Sequence, residues 1–139
     1  MNLLQKAGIL TIDDERLVCQ SIKVRLRMAG FFKVESHTDP TTAMDKVSTY
    51  MPDVILLDIM MPEVSGLELL PKLVGLESAP AVIMLSAADM ETKYQSLELG
   101  AADFINKPID SKELVVRVKN VLRQHLGDVE NVNSQPELT

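Results

Sequence analysis

The sequence predicts one α/β domain, a doubly wound five-stranded parallel sheet with helices on both faces. Five short β-like runs, GILTI (8–12), FFKVES (31–36), DVILLD (53–58), AVIMLS (81–86) and ADFIN (102–106), alternate with helix-like segments. That alternation is what strand–helix–strand crossovers require. Three of the runs are nearly all apolar, as strands covered on both faces would be. A length of 139 residues suits a single core that needs neither disulfides nor a structural metal.

The first helix is predicted over 14–29, with Val18, Ile22, Leu26 and Ala29 on one face, Lys23 and Arg27 opposite, and Gly30 as its stop. A second spans 40–50, with Asp39 as N-cap and Pro40 in the first turn. The third follows Gly66, where Pro71 is expected to kink or shorten it and Gly75 lies just beyond. The fourth follows Asp89, carries Tyr94, Leu97 and Leu99, and closes at Gly100. The fifth opens at DSKE, where Asp110 and Glu113 have capping-box spacing, and runs through Leu114, Val118, Val121, Leu122 and His125 to Gly127. Beyond it, DVENVNSQPELT has no periodic apolar face. The expected division is therefore a domain over 1–126 and, over 127–139, a polar tail or the start of a linker to an output domain outside this chain.

Hydrophobic residues make up 46% and charged residues 24%, the balance of a soluble globular protein. Lys and Arg total 14 against 20 Asp and Glu, a formal charge of −6, with no basic stretch to meet a phosphate backbone. Direct nucleic-acid binding is not expected. Cys19 is the single cysteine and lies in the first helix, so it reads as a buried, idle thiol. His37 and His125 are far apart and lack metal-ligand spacing; His125, late in the last helix, suits the helix dipole. The start MNLLQKAGIL is too short and too weakly apolar for a signal peptide, and no run approaches the roughly 20 apolar residues of a membrane span. The expected location is the cytoplasm, with no membrane partner.

In a parallel sheet all carboxyl ends fall on one edge, and ligands bind outside those ends where strand order reverses. The first strand runs into Asp13 and Asp14, the third ends at Asp58, the fourth at Ser86, and the fifth at Lys107 before Pro108. Three carboxylates drawn together repel and raise at least one pKa unless a cation sits between them. Oxygen-only ligands suit a hard cation, and Mg²⁺ bound by few carboxylates keeps positions for phosphate oxygens. A phosphate-handling site follows, with Lys107 as a compact charge on a phosphoryl oxygen and the Ser86 hydroxyl donating to another.

Asp13, Asp14, Asp58, Ser86 and Lys107, with LLDIMMPEVSG and LGAADFINKP, resemble the receiver domain of two-component response regulators over about residues 8–126. The resemblance implies a flavodoxin-like sheet of order 2-1-3-4-5 with five helices. It implies that Asp58 is the phosphoacceptor, taking a phosphoryl group from the phosphohistidine of a sensor histidine kinase or phosphotransfer protein, or from a small donor such as acetyl phosphate. Asp13 and Asp14 would hold Mg²⁺, one directly and one largely through water, with Asp58 and the backbone carbonyl of Met60 completing the protein ligands. Ser86 and Phe104 look like the family's switch pair, acting on the surface of the fourth helix, fifth strand and fifth helix. That surface would control an output domain or downstream protein and would support a homodimer on phosphorylation. Such a chain is a phosphoacceptor that dephosphorylates itself, not an enzyme in the usual sense. Met60 and Ala88, two residues past Asp58 and Ser86, occupy positions that tune phosphoryl lifetime in the family; neither positions a water by side-chain hydrogen bonding, so slow to moderate loss is expected.

Each residue alone has a duller reading. Asp13 and Asp14 would cap the first helix, Asp58 would open a turn before MMP, Lys107 would be a solvated loop charge, and Phe104 would be core. The eight methionines would be packing, with Met60 and Met61 lining the site loop. Agreement at four strand ends favours the joint reading. Two other functions compete: an aspartyl-phosphate hydrolase, which resembles its kin in a second Asp two residues past the nucleophile where this chain has Met60, and an interaction module that is never phosphorylated. A dinucleotide-binding fold is excluded, because TIDDERL offers acids where a glycine-rich loop should follow the first strand.

Overall fold

The computed structural model describes residues 2–87 and 89–134, and side-chain surroundings through residue 126. Its elements in chain order are α1 (Leu3–Lys6), β1 (Gly8–Ile12), α2 (Arg16–Met28), β2 (Lys33–His37), a 3₁₀ turn (Pro40–Thr42), α3 (Ala43–Tyr50), β3 (Val54–Asp58), α4 (Gly66–Val74), β4 (Ala81–Ser86), α5 (Met90–Glu98), β5 (Asp103–Asn106) and α6 (Ser111–Ser134). The strands form one parallel sheet in the order β2-β1-β3-β4-β5, as expected.

Alternation along each strand splits the core in two. Ile9, Val54, Leu56, Ile83, Leu85 and Ile105 face α2 and α6, which contribute Ile22, Leu26, Leu114, Val118 and Leu122. Leu10, Ile12, Ile55, Leu57, Val82 and Met84 face α3 and α4, which contribute Ala43, Val47, Leu69, Leu70 and Leu73. The apolar strands are thus buried on both faces, which explains why they show no polar alternation. α5 buries only Ser96, whose hydroxyl donates to the Thr92 carbonyl. Among the described residues no helix is long and apolar enough to cross a membrane.

Several boundaries differ from the sequence expectations, each for a local reason. β2 begins at Lys33 rather than Phe31, because Phe31 closes the preceding helix: its N–H donates to the Leu26 carbonyl and that of Gly30, at φ +107°, to Arg27. This is a Schellman closure, sealed by Phe31 packing in the same core as Leu26. α2 begins at Arg16 rather than Asp14, since the Asp13 carboxylate accepts the Glu15 N–H and holds 13–15 in a turn. The helix expected over 40–50 opens as the 3₁₀ turn under the Asp39 cap, and β5 starts at Asp103, one residue late. A further short helix, α1, has an Asn2–Gln5 capping box that the sequence reading passed over. α6 passes through Gly127 to Ser134 where a stop was expected; a glycine inside a helix costs only about 1 kcal/mol relative to alanine, which does not compel an end. Ala88 lies outside the described residues.

Candidate functional site

The carboxyl edge of the sheet gathers the predicted residues. Asp13 follows β1 fully buried, and Asp58 ends β3 at 2% exposure. Asp14 is partly exposed beside them, and carboxylate oxygens of Asp13, Asp14 and Asp58 lie within 4.8 Å of one another. Lys107 reaches back from the end of β5, its Nζ 2.9 Å from Asp13 Oδ2 and 3.3 Å from Asp58 Oδ1. A third carboxylate, Glu15, stands 3.6 Å from the same ammonium. Ser86 ends β4, buried, and its carbonyl accepts the Lys107 N–H at 3.0 Å. The Lys107–Pro108 peptide is cis.

Burial, then the charge of Asp13, pushes the Asp58 carboxyl up to about 6; the Lys107 ammonium and the Met60 N–H offset part of this by bonding to the carboxylate. Burial works against the Lys107 ammonium, but Asp13 and Asp58 outweigh it and its pKa is raised. Asp58 Oδ2 is buried and has no hydrogen-bond partner. An unpaired carboxylate oxygen beside two further carboxylates is an oxygen-only donor set, which fits a hard divalent cation. Cys19 is buried and its pKa is raised to about 11, by burial and then by Asp13. The thiol donates to the Asp13 carbonyl at 3.4 Å, and its burial and raised pKa disfavour the reactive thiolate.

The loop after β3 is held by a glycine the sequence reading did not assign to the site. Gly66 donates to the Ile59 carbonyl at 2.8 Å, and a Cβ there would stand 2.2 Å from the Asp58 carbonyl oxygen. Only glycine lets α4 begin this close to the backbone of Asp58. Ser65 caps that helix, accepting from the N–H groups of Leu67 and Glu68. Glu15 was also missed, because its reach to Lys107 depends on a 92-residue separation along the chain. Met60 is 75% exposed on the loop. Phe104 is 4% exposed and packs in the α3/α4 core. A cavity of about 710 Å³ lies at the other edge of the sheet, among Met51, Pro52, Leu76 and His125, away from these acids.

A family model described as the response regulator receiver domain matches residues 9–119. The alkaline phosphatase synthesis transcriptional regulatory protein PhoP of Bacillus subtilis is 36% identical over 117 residues, 84% of this chain and 48% of PhoP. The chain thus spans about half the length of that relative. The Francisella response regulator 1452 receiver domain superposes with TM-score 0.79 at 32% identity, covering 86% of this chain and 98% of that one. A CheY-like receiver domain protein from Methanospirillum hungatei gives TM-score 0.81 at 28% identity, over 88% and 98%.

Proposed function

The chain belongs to the response regulator receiver family of two-component signalling, and from that premise we propose that it accepts a phosphoryl group on Asp58 and relays it as a surface change. The observation that carries this reading is the convergence of Asp13, Asp14, Asp58 and Lys107 on one sheet edge with an unpaired oxygen on Asp58. Asp13, Asp14 and Asp58 would hold Mg²⁺, with the backbone carbonyl of Met60 completing the protein ligands. When bound, the cation would supply charge neutralisation at the transferring oxygens.

A carboxylate oxygen of Asp58 attacks phosphorus, the P–N bond of a donor phosphohistidine or the P–O bond of acetyl phosphate breaks, and an acyl phosphate remains. Lys107 places its ammonium against a phosphoryl oxygen, and Ser86 donates its hydroxyl to another. Drawing Ser86 toward the phosphoryl group shifts the end of β4, which pairs with β5 beside Phe104. The shift passes to α5–β5–α6, where α5 is held by little buried surface.

The partners that fit are a sensor histidine kinase or phosphotransfer protein in the cytoplasm, an output domain connected through 127–139 or a separate downstream protein, and a second copy of the chain when phosphorylated. Asp58 is consumed and regenerated by its own hydrolysis, so the chain is a phosphoacceptor rather than an enzyme. Met60 offers no side chain that orders an attacking water, so a phosphoryl lifetime well beyond seconds follows. Backbone amide NMR with Mg²⁺ and beryllofluoride tests the switch: shifts at Ser86, Phe104 and α5 that vanish in Asp58→Asn support it, and shifts confined to residues touching the ligand contradict it.

A further inference from the structure

The Lys107 ammonium has three hydrogens and no acceptor, and three carboxylates stand around it: Asp13 at 2.9 Å, Asp58 at 3.3 Å and Glu15 at 3.6 Å. Two are buried members of the acceptor site, whereas the Glu15 side chain is 63% exposed at its mouth. Glu15 occupies the N-cap position of α2 yet makes no side-chain cap bond. Among the described residues Lys107 is the ion-pair partner it has. Its carboxylate therefore does one visible thing.

We infer that Glu15 is a positioning residue: it holds Lys107 in the resting state at the place a phosphoryl oxygen later takes, and phosphorylation exchanges one contact for the other. This rests on the phosphoacceptor reading of Asp58. A phosphoryl oxygen arriving on Asp58 needs one direction of the ammonium. The Asp13 contact is the shortest and its carboxylate is fully buried, so it is costlier to give up than the Glu15 contact. The Glu15 contact is the longest and is solvated, and exposed pairs of this kind are the weakest to break. Glu15 thus keeps the ammonium aimed across the site mouth, and its release is part of the barrier to phosphoryl arrival.

The test compares wild type, Glu15→Gln and Glu15→Asp for the rate of phosphorylation by acetyl phosphate, at low ionic strength and saturating Mg²⁺ so that altered metal affinity does not enter. The 15N resonance of the Lys107 ammonium is read in the unphosphorylated proteins. Both variants should fold, since the replaced side chain makes no cap bond. Aspartate keeps the charge but is one methylene too short to hold the contact. The expected result is a rate about two- to fivefold higher in both variants, the range an exposed pair allows. It should shrink as salt is raised and be accompanied by a shifted Lys107 resonance. Acceleration by glutamine alone would overturn the inference in favour of simple repulsion at the mouth, and unchanged rates or an unchanged Lys107 resonance would overturn it outright. Wild type that takes up phosphoryl normally while the variants match it defeats this inference only; wild type that takes up none defeats the phosphoacceptor reading and this inference with it.

Discussion

Asp58 sits where its own charge is least welcome: buried, beside Asp13, and held ionised by Lys107 and one backbone N–H. Its carboxyl titrates at about 6 in the fold against 3.8 for an ordinary aspartate. The folded state therefore binds more protons than the unfolded state between those values, and this group's contribution to stability falls as pH rises through that window. Asp58→Asn should stabilise the metal-free protein by about 1 to 3 kcal/mol at pH 7 and flatten the loss between pH 4 and 6; urea titrations at both ends check this, and an unchanged slope would refute it. Gly66→Ala drives a Cβ into the Asp58 carbonyl and should cost about 1–3 kcal/mol, while lowering the rate of phosphoryl uptake because the acceptor's backbone must move. The acids, Ser86 and Lys107 were legible in the sequence, because each ends an apolar run and parallel strands share one edge. Gly66 and Glu15 were not: one matters through a loop folding back on Asp58, the other through the reach of Lys107 from β5.

Helix ends were read well wherever glycine supplied the conformation. Gly30 and Gly100, both at φ +107°, close α2 and α5 with the same pair of bonds, from Phe31 to Leu26 and from Ala101 to Ser96, each with a bond from the glycine N–H to the carbonyl three residues back, Arg27 and Leu97. α3 ends without such a signal, on Met51 in the left-handed region at φ 52°. Pro71 is accommodated inside α4, a nine-residue helix that ends at Val74 with Gly75 as its cap. The strand starts were less legible: Phe31 is apolar and aromatic, as strand residues are, yet its N–H is committed to a helix terminus. Ser65 is the testable cap. Removing its hydroxyl frees two N–H groups of α4, so Ser65→Ala should lower stability by about 1 kcal/mol in urea melts. No change there would mean that water serves those groups equally well.

At the scale of the molecule, strand order reverses between β1 and β3, which places Asp13 and Asp58 on either side of the crevice where α/β sheets bind ligands. Strand alternation and apolar run length were enough to predict a five-stranded parallel sheet, while its order followed from the resemblance to receiver domains. Which helix faces change with signalling is not written in periodicity, because exposed apolar residues such as Met90, Tyr94 and Leu97 on α5 have the same sequence signature as a weakly buried face. If α5–β5–α6 is the switched surface, beryllofluoride with Mg²⁺ should convert a monomer to a dimer in sedimentation velocity, and an unchanged monomer would count against that role. The central claim is phosphoryl transfer to Asp58, and intact mass after incubation with Mg²⁺ and acetyl phosphate tests it most directly. The predicted result is a gain of one phosphoryl group, about 80 Da, that requires Mg²⁺ and disappears in Asp58→Ala. An adduct that persists in Asp58→Ala, or none in wild type with acetyl phosphate or with candidate kinases, would contradict it.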